Sequence, residues 1–291
     1  MSMVKHLPQS IKQLLTLRNP HPLPSPSLTQ LRRVLTKTFL DARSRKAETG
    51  WLVLTACAIL TANRPPAFGE LYRFATRSDI QDIKSTRTTL FEAVNRAAII
   101  RESALKSTIF VGVPRVILSL AALNEALDDD VRTALRKQSR RISTPDNIES
   151  TLARGQALWE SIYTPHAQKL HDKLGSYHPD FISFIIESYG AVLSPLPGKE
   201  KAFADASSTD DLDQGNLSRA LGSVVGIACL RAEERVAPQL TSHVFGLLKA
   251  RYTENQSEED AWLASDEGTE WVVRTVDVVL DGVRMDGQAK L

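Results

Sequence analysis

The run Trp51–Thr61 (WLVLTACAILT) carries no charged residue and constrains the fold more than any other stretch. It is far shorter than the roughly 20 apolar residues that cross a bilayer. It must therefore lie inside the protein, covered on every side. Periodicity alone would also fit a buried strand. Ala56 and Ala58 favour a helix and no hairpin partner follows, so the run predicts a buried helix around which other elements are wrapped.

Almost every other segment has helical spacing. Leu28–Arg45 repeats Leu31, Val34, Leu35, Phe39 and Leu40 on one face. Arg64-Pro65-Pro66 opens a short helix over Ala67–Thr76, and Thr86–Thr108 reads as a long amphipathic one. Gly112 and Pro114 divide it from Arg115–Leu127, because Pro is tolerated in a first helical turn. Asn147–Tyr163, Pro165–Leu174, Pro179–Leu193, Leu217–Glu234, Pro238–Arg251 and Trp271–Val283 complete the set. Lys199–Gly215 reads as a polar loop. Glu254–Glu270 holds seven acids and no base, and reads as a solvated connector or the start of a negative face. The class expected is all-α.

With 291 residues, one large domain or two closely packed halves is expected. A hydrophobic content of 42% excludes disorder for most of the chain, and a formal charge of +2 gives no general reason to bind nucleic acid or anionic lipid. No stretch is long and apolar enough to span a membrane, and none is expected to. Cys57 and Cys229 each sit in an apolar run, which argues for core thiols in a reducing compartment rather than a disulfide framework.

Both ends carry possible addresses. Ala289, Lys290 and Leu291 form a small–basic–leucine tripeptide that resembles the C-terminal peroxisomal import signal. The partner it implies is the import receptor, and the location it implies is the peroxisome. The first 40 residues hold Lys5, Lys12, Arg18, Arg32, Arg33 and Lys37 without an acid, which makes the mitochondrion the alternative. Pro20, Pro22, Pro24 and Pro26 break any long amphipathic helix there, so an arm with a short helix near Ser10–Leu17 is preferred.

Phosphate loops, paired Cys-x-x-Cys cysteines and zinc-protease or nucleophile-elbow motifs are all missing from the sequence. His166, His171 and His178 do not align on one helical face, so no metal site is expected. His243 stands apart. It lies near the start of a helix, just after GIACLRAEERV with Glu233 and Glu234, where an imidazole could exchange a proton with a carboxylate at hand.

The stretch VAPQLTSHVFGLLKA (Val236–Ala250) resembles the histidine helix of the carboxymuconolactone decarboxylase family, the all-α fold shared with alkylhydroperoxidase D. SRALGSVVGIACLRAEE resembles the apolar helix that precedes it in that family. RESALKSTIFVGVPRVILSLAAL (Arg101–Leu123) is similar to the family's later helix pair with its Gly-x-Pro turn. The matches fall in different halves, which implies two diverged copies of one helical unit. The organisation expected is an N-terminal arm and Pro-rich connector (1–27), a first half (28–130), a second half bearing His243 (147–283), and a flexible tail (284–291). Aligning Cys57 with Cys229 also aligns Pro66 with Pro238, but puts Leu71 at the place of His243.

Peroxidase members of the family carry Cys-x-x-Cys-x-x-x-His with a Glu upstream. Gln239 and Val236 stand at the cysteine positions here and Val224 at the Glu position, so thiol peroxidase chemistry is not expected. The resemblance then implies cofactor-free acid–base chemistry on a small carboxylate or lactone. His243 would be general acid/base and Glu233 its orienting partner, with Arg115, Tyr189 and Arg231 as substrate contacts. It also implies a homo-oligomer, with a dimer favoured over a trimer. The rival reading is a helical oligomer that keeps the fold without the chemistry. The enzyme requires a wet, acid-partnered His243; the rival allows a sealed one.

Overall fold

The computed structural model describes residues 6–16, 21, 23–82, 84–197 and 214–284. Among them are fourteen α-helices, one short π-helix and no β-strand. A lone antiparallel bridge joins Arg77 to Arg87. In order the helices are α1 (Gln9–Leu15), α2 (Leu28–Ser44), α3 (Glu48–Thr61), α4 (Pro65–Ala75), α5 (Leu90–Val111), α6 (Val113–Ala126) and α7 (Asp129–Ala134). They continue with α8 (Ile148–Tyr163), α9 (Ala167–Tyr177), α10 (Phe181–Ser188) and the π-helix Tyr189–Leu193. The last four are α11 (Arg219–Glu233), α12 (Ala237–Ala250), α13 (Glu258–Leu263) and α14 (Asp266–Arg284). The all-α expectation holds, and no described helix is long and apolar enough to cross a membrane.

The uncharged run is the centre of the molecule, as its composition requires. Every residue from Thr49 to Thr61 in α3 is buried. Helix α11, with Ala220 to Leu230 and Ala232 buried, lies against it. Helices α5 and α14 each touch both members of this pair. One continuous apolar core runs through them from Leu31 to Val283. A smaller core of Leu158, Trp159, Ile162, Ile182, Tyr189 and Leu193 sits under α8, α10 and the π-helix. Cys57 and Cys229 are buried free thiols that meet at a shared hydroxyl. Ser107 Oγ donates to Cys57 Sγ at 3.4 Å and accepts from Cys229 Sγ at 3.3 Å.

The chain leaves the two central helices by related turns, with one left-handed residue after α3 and two, Glu234 (φ 61°) and Arg235, after α11. Asn63 after α3 and Arg235 after α11 both have φ of 55°. The residues that follow, Arg64 and Val236, have φ of −117° and −118°, and a proline stands in the first turn of each next helix. A left-handed residue turns the chain back, and proline, which needs no N–H partner there, restarts it.

Two segments differ from the sequence reading. Glu254–Glu270 is not merely solvated, since it contains α13 and the first turn of α14. Its acids sit where helix N-termini favour them. Ser257 caps α13 by accepting from Asp260 N–H at 3.0 Å. Glu259 accepts the Gly50 N–H in the first turn of α3 at 2.7 Å, where Ala47 at the N-cap offers no side-chain acceptor. Asp260 accepts from Ser218, the N-cap of α11, at 2.8 Å. One short acidic helix therefore holds the starts of both central helices. Burial pushes the Glu259 carboxyl up to about 7.

The second difference is in FISFIIESYGAVL, which is α10 followed by the π-helix rather than one regular helix. This part packs on α8 backbone to backbone. A Cβ at Gly190 would lie 1.9 Å from the Thr151 carbonyl oxygen, and one at Gly155 would lie 2.0 Å from that of Ile186. Its far end is held by Lys106, which is fully buried. Lys106 Nζ donates to the carbonyls of Val192, Leu193 and Ser194 at 2.9, 2.8 and 3.0 Å. Burial lowers this amine to about 8, which still leaves it charged at neutral pH. Glu102, 3.6 Å away and also bound by Arg141, balances it.

The arm ahead of α2 contains α1, which buries no residue. Most of the Lys199–Gly215 loop, and the tripeptide Ala289, Lys290 and Leu291, lie outside the described residues.

Candidate functional site

Helix α12 returns alongside α11 after the turn at Glu234 and Arg235, so positions pair in antiparallel order. Gly226 faces His243, and Ser223 faces Gly246. That order decides which carboxylate the histidine can meet. Glu233 lies seven residues beyond Gly226, which at 1.5 Å per residue is about 10 Å along the axis. The structure accordingly does not bring Glu233 to His243. Its Oε2 instead accepts from Arg115 Nη1 at 2.7 Å, while Arg115 also donates to the Thr61 carbonyl at 3.0 Å. These two sequence-selected residues meet each other and tie the end of α11 to the start of α6. Both are about one-third exposed, so the pair is worth no more than about 1 kcal/mol.

Arg231 is likewise engaged. Nε and Nη2 donate to the two Asp277 oxygens at 2.7 and 2.8 Å, joining α11 to α14 and raising the Arg231 pKa. Tyr189 lies elsewhere. It is buried in the π-helix, near Trp159, with its hydroxyl 3.1 Å from that of Tyr163. Burial drives its phenol well above the usual range. Of the five residues selected as catalytic or substrate-binding, Arg115 and Glu233 meet at the end of α11, and His243 and Tyr189 share a neighbourhood away from them. What joins the latter pair is Arg219, whose charge acts on both.

His243 is 3% exposed. Its ring fits because Gly226 has no side chain: a Cβ there would stand 2.5 Å from Nδ1. Phe110 of α5 packs against the ring nearly perpendicular, with centroids 5.1 Å apart. Among the described residues Nδ1 has no hydrogen-bond partner. The adjoining cleft, lined by Leu158, Ile162, Leu193, Pro195, Arg219 and Ser223, is too narrow for a water molecule. Burial, with Arg219 adding to it, lowers the imidazole to about 4. The ring is thus neutral at pH 7. A group that binds a proton less readily when folded than its ordinary 6.5 contributes its full stability above that value. The contribution is lost as pH falls toward about 4.

Arg219, the first residue of α11, was not selected from the sequence, although it is a lone cation opening an apolar helix. Its Nε donates to Ser161 Oγ and its Nη2 to the Gly246 carbonyl, both at 3.1 Å, and its Nη1 to Ser223 Oγ. All three acceptors are neutral. Burial pulls this guanidinium down to about 10. Lys249, within reach of the Arg219 charge, donates to the Ile162 and Thr164 carbonyls at the end of α8.

The remaining histidines are peripheral. His171 and His178 stand 3.5 and 3.9 Å from Asp172 and Asp180 at the surface. Among the described residues no group of three or more His, Cys, Asp or Glu side chains is arranged to hold a metal ion. Comparisons with protein-family models, with curated proteins and with solved structures find no match to this chain.

The packing of His243 on a glycine gives a direct test. Gly226→Ala should cost roughly 1–3 kcal/mol in urea unfolding by forcing a methyl into the ring. Adding His243→Ala, which vacates the space, should recover part of that loss. A Gly226→Ala protein as stable as wild type would show that the ring is not seated there.

Proposed function

We propose that this chain is a helical oligomer in the carboxymuconolactone decarboxylase-like mould whose His243 is a packing residue and not an acid–base catalyst. The observation that carries this reading is the state of the ring. It is packed on Gly226 and Phe110, has no acidic companion among the described residues, and is held neutral near a cation. A general acid or base at neutral pH needs a pKa near 7 and a path to the reacting atom. His243 has neither, and Glu233 is bound to Arg115. Two diverged copies remain our reading of the chain's origin. It is supported by the left-handed residues Asn63 and Arg235 at like places before α4 and α12 and by the convergence of Cys57 and Cys229 on Ser107.

A second copy of the chain is the partner this reading needs. Helix α6 turns Val113, Ile117 and Leu118 outward, at 55%, 60% and 41% exposure, and Pro114 and Ala121 extend the same face. A contiguous apolar stripe of this kind on a soluble helix marks a contact surface. The location we propose is the peroxisome, through Ala289, Lys290 and Leu291.

Light scattering at micromolar concentration should give twice the 32.2 kDa of the chain, and Ile117→Asp should halve it. A wild-type monomer would overturn the oligomer. For the address, a fluorescent protein fused after Leu291 should abolish peroxisomal import while an N-terminal fusion preserves it. Import with the tail blocked would refute it.

A further inference from the structure

The two thiols of the chain are placed for each other. Cys57 lies on α3 and Cys229 on α11, the central helices, which pack against one another. Both cysteines are fully buried and free. Their sulfurs stand 3.4 and 3.3 Å from one oxygen, Ser107 Oγ of α5. Each also acts directly on the proton of the other. A single buried cysteine is an ordinary small core residue. Two from different helices, meeting at one point in the middle of the core, are a dithiol.

We propose that Cys57 and Cys229 form a reversible disulfide that locks α3 to α11 when hydrogen peroxide reaches the core. This goes beyond the oligomer reading and does not depend on it. In the first step Cys229 Sγ attacks one peroxide oxygen, the O–O bond breaks, and the thiol proton leaves with the other oxygen as water. In the second, Cys57 Sγ attacks the resulting sulfenic sulfur and the S–O bond breaks. The Cys57 proton completes a second water. Two thiols lose two electrons and two protons, and one peroxide becomes two waters.

The surroundings assign the order of attack. Burial disfavours either thiolate, but hydrogen bonds from Cys57 and Ser107 outweigh it at Cys229 and lower that thiol. Burial, and Cys229 itself, push Cys57 up. Ser107 can follow the charge, because a hydroxyl rotates to donate to whichever sulfur holds it. Cys229 is therefore the thiol that attacks and Cys57 the one that resolves. Enclosure sets the oxidant, since local openings of a packed core admit a molecule scarcely larger than water before they admit a bulky disulfide. The same enclosure brings the second thiol to the sulfenic acid ahead of a second peroxide, which stops oxidation at the disulfide.

The reduced full-length chain can be held with hydrogen peroxide well below its Tm, and a parallel sample with N-ethylmaleimide. Peptide mapping without reductant should recover the Cys57 and Cys229 peptides joined and lighter by two hydrogens, and dithiothreitol should separate them. Maleimide, which needs a wider opening, should label neither thiol in the time the link takes to form. The link closes a loop of about 170 residues, so the oxidised chain should melt about 5 °C above the reduced one. Cys57→Ser should abolish both the link and the rise in Tm; if it does not fold, the wild-type map and melting curves carry the test. Two intact thiols after peroxide, sulfinic acid on either cysteine, or a link between chains would each overturn the proposal. So would maleimide labelling as fast as linking, or an unchanged or lower Tm of the linked chain.

Discussion

Helices α3 and α11 have no face that can be left in water, and this constraint organises the molecule. Each needs neighbours on all sides, and α5 and α14 serve both at once, which is why a single core runs from Leu31 to Val283. Burying two helices whole also buries their ends, whose free N–H groups need acceptors. Glu259 supplies one for α3, and for α11 the acceptor is Ser218 Oγ, whose hydroxyl is in turn held by Asp260. Lys106 does the converse for the π-helix, satisfying three carbonyls with one ammonium.

His243 follows from the same geometry. Because α12 folds back antiparallel on α11, the ring lands on the middle of a helix that is apolar throughout, opposite the one glycine that leaves room for it. The acids at the end of α11 are left behind at the turn and pair with Arg115 and Arg284. A histidine in that position is neutral and enclosed whatever its ancestry.

The sequence made the class legible because helical spacing and the uncharged run are local signals. It also located the helices closely, including Gly112 and Pro114 between α5 and α6. What it obscured depends on contacts between distant residues. Glu233 and His243 are ten residues apart in the chain, and closeness in sequence suggested a pair that the antiparallel return of α12 prevents. Arg115 and Arg231 looked available because their partners, Glu233 and Asp277, lie on other helices. Glu259 and Asp260 read as solvated because nothing local reveals that Glu259 accepts from the first turn of α3 and Asp260 from the N-cap serine of α11. Lys106 stands four residues after Glu102, the spacing of an ordinary helix salt bridge, whereas its three carbonyl acceptors belong to a segment 86 to 88 residues away.

The account turns on whether the His243 imidazole is enclosed and neutral, and its titration by NMR measures that directly. The ring C–H resonances of His243, assigned by their loss in His243→Gln, should stay in the neutral position down to about pH 5 and titrate near 4. A midpoint at or above 6.5 would place the ring in water or beside an acid, and would contradict the sealed histidine on which the account rests.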